Sequence, residues 1–298
     1  MPRSVALTKR PRAARSRAGV HAPSKARGAA LRPPKSAARP RPGSLVPASI
    51  LLGASLILLT VGGYLWLDHT LPSSQEIAMA ASGPIGDTAM MRTRVQEALA
   101  KKRALKLRQS WVELPQIAPQ AVAALIASED ARFFEHGGID YREIHAALRA
   151  DLQQGKLARG ASTLTQQVAK NLWLSEDKSL LRKAKELVLS NRLEAALEKE
   201  RILAIYLNIA EWGDGVFGIE AAARAHLRKS ASELDLAESA ALVAMLPSPR
   251  KLSPRERPAD LHRRALRVLA RMESEGFART ADVESAREKL SRWLGRAE

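Results

Sequence analysis

The chain of 298 residues contains no cysteine. Disulfide bonds, cysteine-ligated metal sites and cysteine nucleophiles are therefore excluded. The sequence also shows no internal repeat and no sustained alternation of apolar and polar residues. Apolar residues instead recur at helical spacing nearly to the end of the chain, which predicts a mainly α fold.

Acidic residues are absent from the first 44 positions, where twelve Lys or Arg residues stand. The formal net charge of the whole chain is +17, so a surplus of only about five charges is left for the other residues. The first segment is also rich in Pro, Ala, Gly and Ser and cannot bury enough apolar surface to fold. We expect residues 1–44 to be a disordered basic cytoplasmic tail that contacts anionic lipid, and we expect no nucleic-acid partner.

Formal charges are also absent from residues 45–67, LVPASILLGASLILLTVGGYLWL. A helix of that length spans about 34 Å, enough for a hydrocarbon core of about 30 Å. The length of the segment and its distance from the start favour a membrane anchor over a cleaved signal peptide. Basic residues before it and few charges directly after it predict a cytoplasmic N-terminus, with everything after Asp68 on the other side.

Residues 68–90 are predicted to be a linker and residues 91–298 a single helical domain. Helices are predicted over residues 91–107, 119–134, 140–154, 162–173, 179–198, 200–211, 217–227, 232–246, 259–275 and 280–293. Ser232 and Asp235 have the S-x-x-D spacing of a capping box. The helix that follows, LAESAALVAML, is apolar on nearly every side and is predicted to be buried.

The segment AVAALIASEDARFFEHGG carries a carboxylate on an apolar stripe. In a continuous helix one face would be shared by Val122, Leu125, Ile126, Glu129, Phe133 and His136. Desolvation there would raise the pKa of Glu129 and suit it to proton transfer. The commoner case for this spacing is a Glu at the rim of a core helix, held by one hydrogen bond.

The segment RGASTLTQQVAKNLW combines a helix start with polar side chains. Ser162 or Thr163 is a good N-cap, and Thr163, Gln166, Gln167 and Lys170 would line one side of the helix. A helix N-terminus with a nearby lysine suits a phosphate or a sugar amide. An ordinary capped surface helix has the same pattern.

The segment DKSLLRKAKELVLSNRLEAAL pairs a carboxylate with two cations. Arg182 and Lys183 precede Glu186 by four and three residues, so both can reach it on a helix. Glu186 should therefore stay ionised, whereas Glu129 should be protonated more easily. Two carboxyls with divergent pKa values are typical of divided catalytic roles. A solvated run of charges is the alternative.

In order and spacing, these segments and two later ones resemble the motifs of the peptidoglycan glycosyltransferases, the lysozyme-like domains also found in class A penicillin-binding proteins. The similarity covers about residues 113–254, with motifs at 129–138, 160–171, 182–186, 201–208 and 236–247. The segment IAEWGDGVFGIEAAA is similar to the stand-alone branch, which implies that no transpeptidase domain follows Glu298. The chain has Lys178 where the family often has Arg, and His226-Leu227 where it usually has Tyr-Phe.

The resemblance implies a mainly α, lysozyme-like domain behind one N-terminal transmembrane helix in a bacterial inner membrane, with the catalytic domain in the periplasm. It implies polymerisation of lipid II into glycan strands, with inversion at the donor anomeric carbon and release of undecaprenyl pyrophosphate. Glu129 would be the general base, and Glu186 would orient cations or the donor. The residues implied to bind substrate and pyrophosphate are Lys170, Lys178, Arg182, Lys183, Ser162, Thr163, Gln166 and Gln167.

The partners implied by the resemblance are lipid II, the growing glycan chain, membrane lipid, and proteins of cell division or cell-wall synthesis. Some relatives use a divalent cation (Mg or Mn), and the sequence identifies no ligand set for one. A membrane-anchored muralytic hydrolase or lytic transglycosylase also needs a catalytic Glu in a helical cleft. Four clustered cations suit a pyrophosphate leaving group better than a neutral glycan, which argues against it. A non-enzymatic cell-wall scaffold would leave Glu129 and Glu186 unexplained.

Overall fold

The computed structural model describes residues 47–154, 162–177 and 179–295. The chain separates into two units, residues 1–54 and 55–298. Within the first unit the described residues are 47–54, which contribute the start of helix α1, Ala48–His69. None of the 22 residues of α1 is buried, and the helix is long and apolar enough to cross a membrane. It overlaps the segment 45–67 predicted from the sequence.

The second unit is mainly helical, as the sequence predicts. Its further helices are α2 (Ser74–Met79), α3 (Ala89–Ala100), α4 (Pro119–Glu129), α5 (Tyr141–Gln154), α6 (Leu164–Trp173), α7 (Leu180–Ala196), α8 (Lys199–Ile209), α9 (Ile219–Leu227), α10 (Leu236–Met245), α11 (Pro258–Ser274) and α12 (Thr280–Leu294). Three short 3₁₀ helices lie at Leu114–Gln116, Phe133–Glu135 and Ala231–Glu233.

Helix α10 lies at the centre of the hydrophobic core. Every residue from Ala237 to Met245 is buried, which confirms the prediction for this segment. It packs against α4, α11 and α12, while α6 packs against α7, α8 and α3. Burial of one large aliphatic side chain stabilises the fold by about 1.5–3 kcal/mol. The core therefore fixes α4, α6 and α11 relative to one another.

A small sheet lies beside these helices. Strand β1 (Arg108–Gln109) runs parallel to β3 (Val216–Phe217), and β2 (Glu211–Gly213) pairs antiparallel with the other edge of β3. Strands of two or three residues are too short to show alternation, so the sequence analysis did not predict them. Gly218, which follows β3, has φ +83°, and a Cβ there would lie 2.8 Å from the Asn208 carbonyl oxygen. This turn therefore requires glycine.

Two predicted helices end earlier than expected. The helix predicted over 91–107 stops at Ala100, and Lys102 then adopts φ 50°, which leads the chain towards β1. The helix predicted over 119–134 stops at Glu129, because Asp130 leaves helical geometry and its side chain accepts a hydrogen bond from the Leu164 N–H at 2.9 Å. The predicted helical face shared by Glu129, Phe133 and His136 is therefore wrong.

The start of α10 also differs from the prediction. Its N-cap is Asp235, which accepts from the Glu238 N–H at 3.0 Å, while the Glu238 carboxylate accepts from the Asp235 N–H at 3.2 Å. Ser232 lies one element earlier, in a 3₁₀ helix capped by Ser230 and Glu233. The structure has two successive capping boxes, Ser230–Glu233 and Asp235–Glu238. The predicted pair, Ser232 and Asp235, takes one residue from each of these two segments and forms no box itself.

The segment predicted to be a linker contains helix α2, which packs against α7. Ser73 and Glu76 cap α2 reciprocally, and Ile77 is buried. Arg192 on α7 donates to the Pro72 carbonyl at 3.0 Å and pairs with Asp68. The boundaries of the tail, anchor, linker and domain stay a prediction.

Candidate active site

Glu129 is the last residue of α4 and lines a cavity of about 560 Å³. Its Oε2 accepts a hydrogen bond from Nε2 of Gln167 at 2.9 Å, and Oε1 of Gln167 accepts from the Tyr206 hydroxyl at 3.1 Å. Since the tyrosine hydroxyl occupies the amide oxygen, the amide NH₂ is held towards the carboxylate. Tyr206, on α8, thus orients Gln167, which in turn contacts Glu129.

The surroundings of Glu129 favour its protonated form. Burial raises the pKa of Glu129, and the neighbouring charge of Asp130 acts in the same direction. The Gln167 hydrogen bond and the positive charges of Arg271 and Lys170 partly offset this rise. The direction of the shift agrees with the sequence analysis, although the carboxylate stands at the end of a helix and not on a continuous apolar stripe. A carboxyl whose pKa is raised binds a proton more tightly, which suits it to act as a general base.

Arg271 at the C-terminal end of α11 forms another part of this cavity. Its Nη1 donates to the Ser128 carbonyl at 2.7 Å. Arg271 could not be predicted as part of this site, because it lies 142 positions from Glu129 in the sequence. Only the packing of α11 against α4 brings the two together.

Lys170 lies one turn after Gln167 on α6 and lines a second cavity of about 850 Å³. Gln167 and Pro247 line both cavities, so the two adjoin at these residues. The side chain of Lys170 is half-buried and makes no hydrogen bond or ion pair within residues 47–154, 162–177 and 179–295. Burial lowers its pKa. It is a cation available to an anionic ligand in the larger cavity.

Glu186 is the centre of a separate, buried cluster. Arg182 pairs with one of its carboxylate oxygens and Lys183 with the other, at 2.9 Å, which confirms the pairing expected from the spacing. The Lys183 ammonium also donates to Ser162 Oγ at 3.1 Å and to Gln166 Oε1 at 2.9 Å. With three acceptors around Lys183, the cluster ties the start of α6 to α7.

Thr163, one of the two N-caps that the sequence allowed, is the N-cap of α6 and accepts from the Gln166 N–H at 3.2 Å. Its hydroxyl donates to the Gly138 carbonyl at 2.6 Å. The side chain is buried and fully engaged, so it shapes the cleft wall. Ser162 is exposed and lines the Glu129 cavity. Lys178 lies outside the described residues.

Asp130, His136 and Asp140 bring three potential metal-ligating atoms within 4.8 Å of one another. The Asp130 oxygens are already taken by His136 Nε2 and the Leu164 N–H, both at 2.9 Å. Arg132 holds both oxygens of Asp140, the nearer contacts at 2.7 Å. A guanidinium beside Asp140 opposes a divalent cation there, so these residues fit a hydrogen-bonded cluster and not a metal site.

A buried arginine missed in the sequence analysis supports the wall of the larger cavity. Arg94 on α3 is 7% exposed, donates to Glu211 at 2.7 Å and makes two hydrogen bonds of 2.6 Å to Glu176. The Arg94 hydrogen bonds lower the pKa of Glu176, whereas burial raises that of Glu211. Because the partners are distant in sequence, no local pattern could reveal this connection between α3, β2 and the loop after α6.

The sequence of this chain is similar to a protein-family model and to several known proteins. The transglycosylase family model matches residues 96–273. Three similar proteins are called biosynthetic peptidoglycan transglycosylase. The one from Thiobacillus denitrificans is 42% identical over 185 residues, which cover 62% of this chain and 74% of that protein. Those from Aromatoleum aromaticum and Rhodospirillum centenum are each 40% identical, over 208 residues (70% of this chain, 84% of that protein) and 226 residues (76% of this chain, 88% of that protein) respectively. The solved structure of penicillin-binding protein 1A from Haemophilus influenzae aligns at 17% identity and a TM-score of 0.37, covering 62% of this chain and 18% of that one. On the sequence matches, which cover more than half of its length, the chain belongs to the transglycosylase family of glycosyltransferases.

Proposed function

We propose that this chain polymerises lipid-linked disaccharide-peptide, lipid II, into peptidoglycan strands. The observation that supports this most strongly is the position of Glu129 in the cleft. A carboxyl with a raised pKa lines one cavity, and Lys170 lines the adjoining one. Glu129 as a base in one cavity and Lys170 as a cation in the adjoining cavity suit a displacement in which a hydroxyl attacks and an anion leaves.

In the proposed step, Glu129 takes the proton from the 4-hydroxyl of the acceptor sugar as that oxygen attacks C1 of the donor. The new C1–O bond forms on the face opposite the breaking one, so the anomeric centre is inverted. The electron pair of the breaking bond leaves with undecaprenyl pyrophosphate. A well-placed general base contributes about 10²–10⁴-fold to the rate.

The leaving pyrophosphate needs positive charge that is in place before the bond breaks. Lys170 is our candidate for direct contact, because it makes no ion pair within the described parts of the chain. Arg182 and Lys183 are held by Glu186, so that carboxylate would keep both cations in position. Lys178, by its place in the sequence, is proposed to add to this charge.

Both substrates carry lipid tails, so the cleft has to work at a bilayer surface. Helix α1 is long and apolar enough to provide an anchor. The twelve basic residues before it favour an N-terminus in the cytoplasm and a catalytic domain in the periplasm, at the bacterial inner membrane. Proteins of cell division or cell-wall synthesis are proposed partners.

Incubation of the detergent-solubilised full chain with labelled lipid II, followed by gel separation of the products, tests this function. We expect a ladder of polymer and stoichiometric release of undecaprenyl pyrophosphate. Preformed glycan strands in a parallel reaction should stay intact. Cleavage of those strands without consumption of lipid II would instead identify a hydrolase or lytic enzyme and overturn the proposal.

A further inference from the structure

One short stretch of the second unit carries a marked surplus of positive charge. Residues 45–298 contain 36 Lys or Arg against 31 Asp or Glu, a surplus of five. Residues 250–267 contain seven Lys or Arg against two Asp or Glu, which is also a surplus of five. Such concentration of one sign of charge marks a surface that attracts anions.

A cavity of about 250 Å³ lies within this stretch, between the end of the loop after α10 and the first half of α11. Its wall includes five cations: Lys251, Arg257, Arg263, Arg264 and Arg267. The cavity is smaller than the 300–1,000 Å³ typical of sites that enclose a whole small molecule. It fits a single charged group that belongs to a larger molecule.

The acidic residue in the wall does not neutralise these cations. Asp260 already pairs with both Arg257 and Arg263. Arg264 and Arg267 make no ion pair or side-chain hydrogen bond in the parts of the chain that the structure describes. Their guanidinium groups can therefore form two-pronged hydrogen bonds with a planar anion such as a carboxylate.

The cavity adjoins the catalytic cleft. Ser248 and Lys251 line both this cavity and the 850 Å³ cavity that contains Lys170. Helix α11 also continues from Arg264 and Arg267 to Arg271 in the Glu129 cavity, at helical spacings of three and four residues. From Arg264 to Arg271 the helix rises about 10 Å. A flexible branch on a sugar in the cleft could span that distance.

We propose that this cavity binds the carboxylates of the acidic peptide that is attached to the sugar substrate. The proposal rests on the proposed function, which supplies a peptide-bearing sugar to the cleft. A peptide joined to a sugar by its amino end finishes in a free carboxylate, the group that arginine forks match. The pyrophosphate is assigned to Lys170, so the arginine cavity serves a different part of the same substrate.

The test compares two forms of the lipid-linked substrate, one with its natural peptide carboxylates and one with those carboxylates converted to amides. Wild type is measured beside Arg264→Gln/Arg267→Gln and a control, Arg279→Gln/Arg292→Gln, which removes the same charge from α12 and the residue before it. We expect wild type and control to prefer the acidic substrate in kcat/KM by roughly 2- to 30-fold, the range for two exposed charged contacts. In Arg264→Gln/Arg267→Gln this preference should fall towards one, and in wild type it should weaken with added salt.

An unchanged preference in Arg264→Gln/Arg267→Gln would overturn the inference. So would an equal loss of activity on both substrates accompanied by weaker binding to anionic vesicles, because the arginines would then serve the lipid surface. Direct titration of wild type and of Arg264→Gln/Arg267→Gln with soluble disaccharide-peptide, acidic or amidated, separates this inference from the proposed function. Arginine-dependent binding of the acidic form without any polymer would support the inference and refute polymerisation. Polymer formation without such binding would support polymerisation and refute the peptide-carboxylate site.

Discussion

Replacement of Gln167 by Met tests how the protein tunes its proposed base. Methionine keeps the length of the side chain but removes the hydrogen bond of 2.9 Å that the amide donates to Glu129. That hydrogen bond favours the ionised carboxylate and lowers its pKa, whereas burial raises it. Without the amide, burial is less opposed, so the pKa of Glu129 should rise further.

The size of the effect follows from the chemistry of the contact. A hydrogen bond to a charged group contributes about 1.5–3 kcal/mol, and partial access of solvent to Glu129 reduces this to roughly 1–2 kcal/mol. At 1.4 kcal/mol per factor of ten, kcat/KM should fall about 5- to 30-fold at a pH where the base is largely protonated. At higher pH, where Glu129 is ionised in both proteins, the difference should shrink.

The assay is the pH dependence of kcat/KM for polymerisation. The acidic limb of the profile should move to higher pH in Gln167→Met. Tyr206→Phe should move it in the same direction but less far, since it removes only the hydroxyl that orients the amide. A uniform fall in rate with an unmoved acidic limb would mean that Gln167 acts in substrate binding, and the reasoning about Glu129 would be refuted.

Three further predictions concern the charge in the cleft, the buried arginine and the start of α10. Lys170→Met should lower kcat about 10²-fold or more with a smaller change in KM, and an unchanged steady-state kcat would contradict its assignment to the leaving group. Arg94→Ala leaves buried Glu211 without its cation and should lower the free energy of unfolding in urea by about 3–5 kcal/mol, whereas a loss below about 1 kcal/mol would refute a structural role. Asp235→Ala should lower the free energy of unfolding, measured by thermal unfolding, by about 0.5–2 kcal/mol, and Ser232→Ala by less than about 0.5 kcal/mol. A larger loss in Ser232→Ala than in Asp235→Ala would support Ser232, the cap predicted from the sequence.

The sequence predicted the helices well because their signal is local. The apolar spacing of α10 and the cap of α6 depend on residues within a turn or two of each other. Helix α10 is buried as predicted, and Thr163 is one of the two N-caps that the sequence allowed. The pairing of Glu186 with Arg182 and Lys183 is equally local. Each of these features can form from one helix alone.

The errors arose where a distant contact overrides the local pattern. The apolar stripe through Glu129 and Phe133 predicts one continuous helix. In the structure the backbone N–H of Leu164, 34 positions after Asp130, donates a hydrogen bond to the Asp130 carboxylate, and the helix ends at Glu129. The short strands follow from the same kind of contact, since β1 pairs with a segment more than a hundred positions away.

The candidate site was predictable in its residue types but not in its spatial arrangement. Motif order indicated Glu129 and Lys170 through the family resemblance, whereas Arg94, Arg271 and the orienting hydroxyl of Tyr206 emerge only after the helices pack. Packing decides which charged side chains share a cavity, and sequence spacing carries no information about it.

The most direct test of the central claim is polymerisation of labelled lipid II by Glu129→Gln. The substitution keeps the shape of the side chain and removes its ability to accept a proton. Glu135→Gln is the matched control, because Glu135 is an exposed carboxylate in the same segment. With all three proteins shown to be folded by circular dichroism, we predict polymer from wild type and the control and at least a hundredfold loss in Glu129→Gln. Polymer from Glu129→Gln within about threefold of wild type would contradict its assignment as the general base.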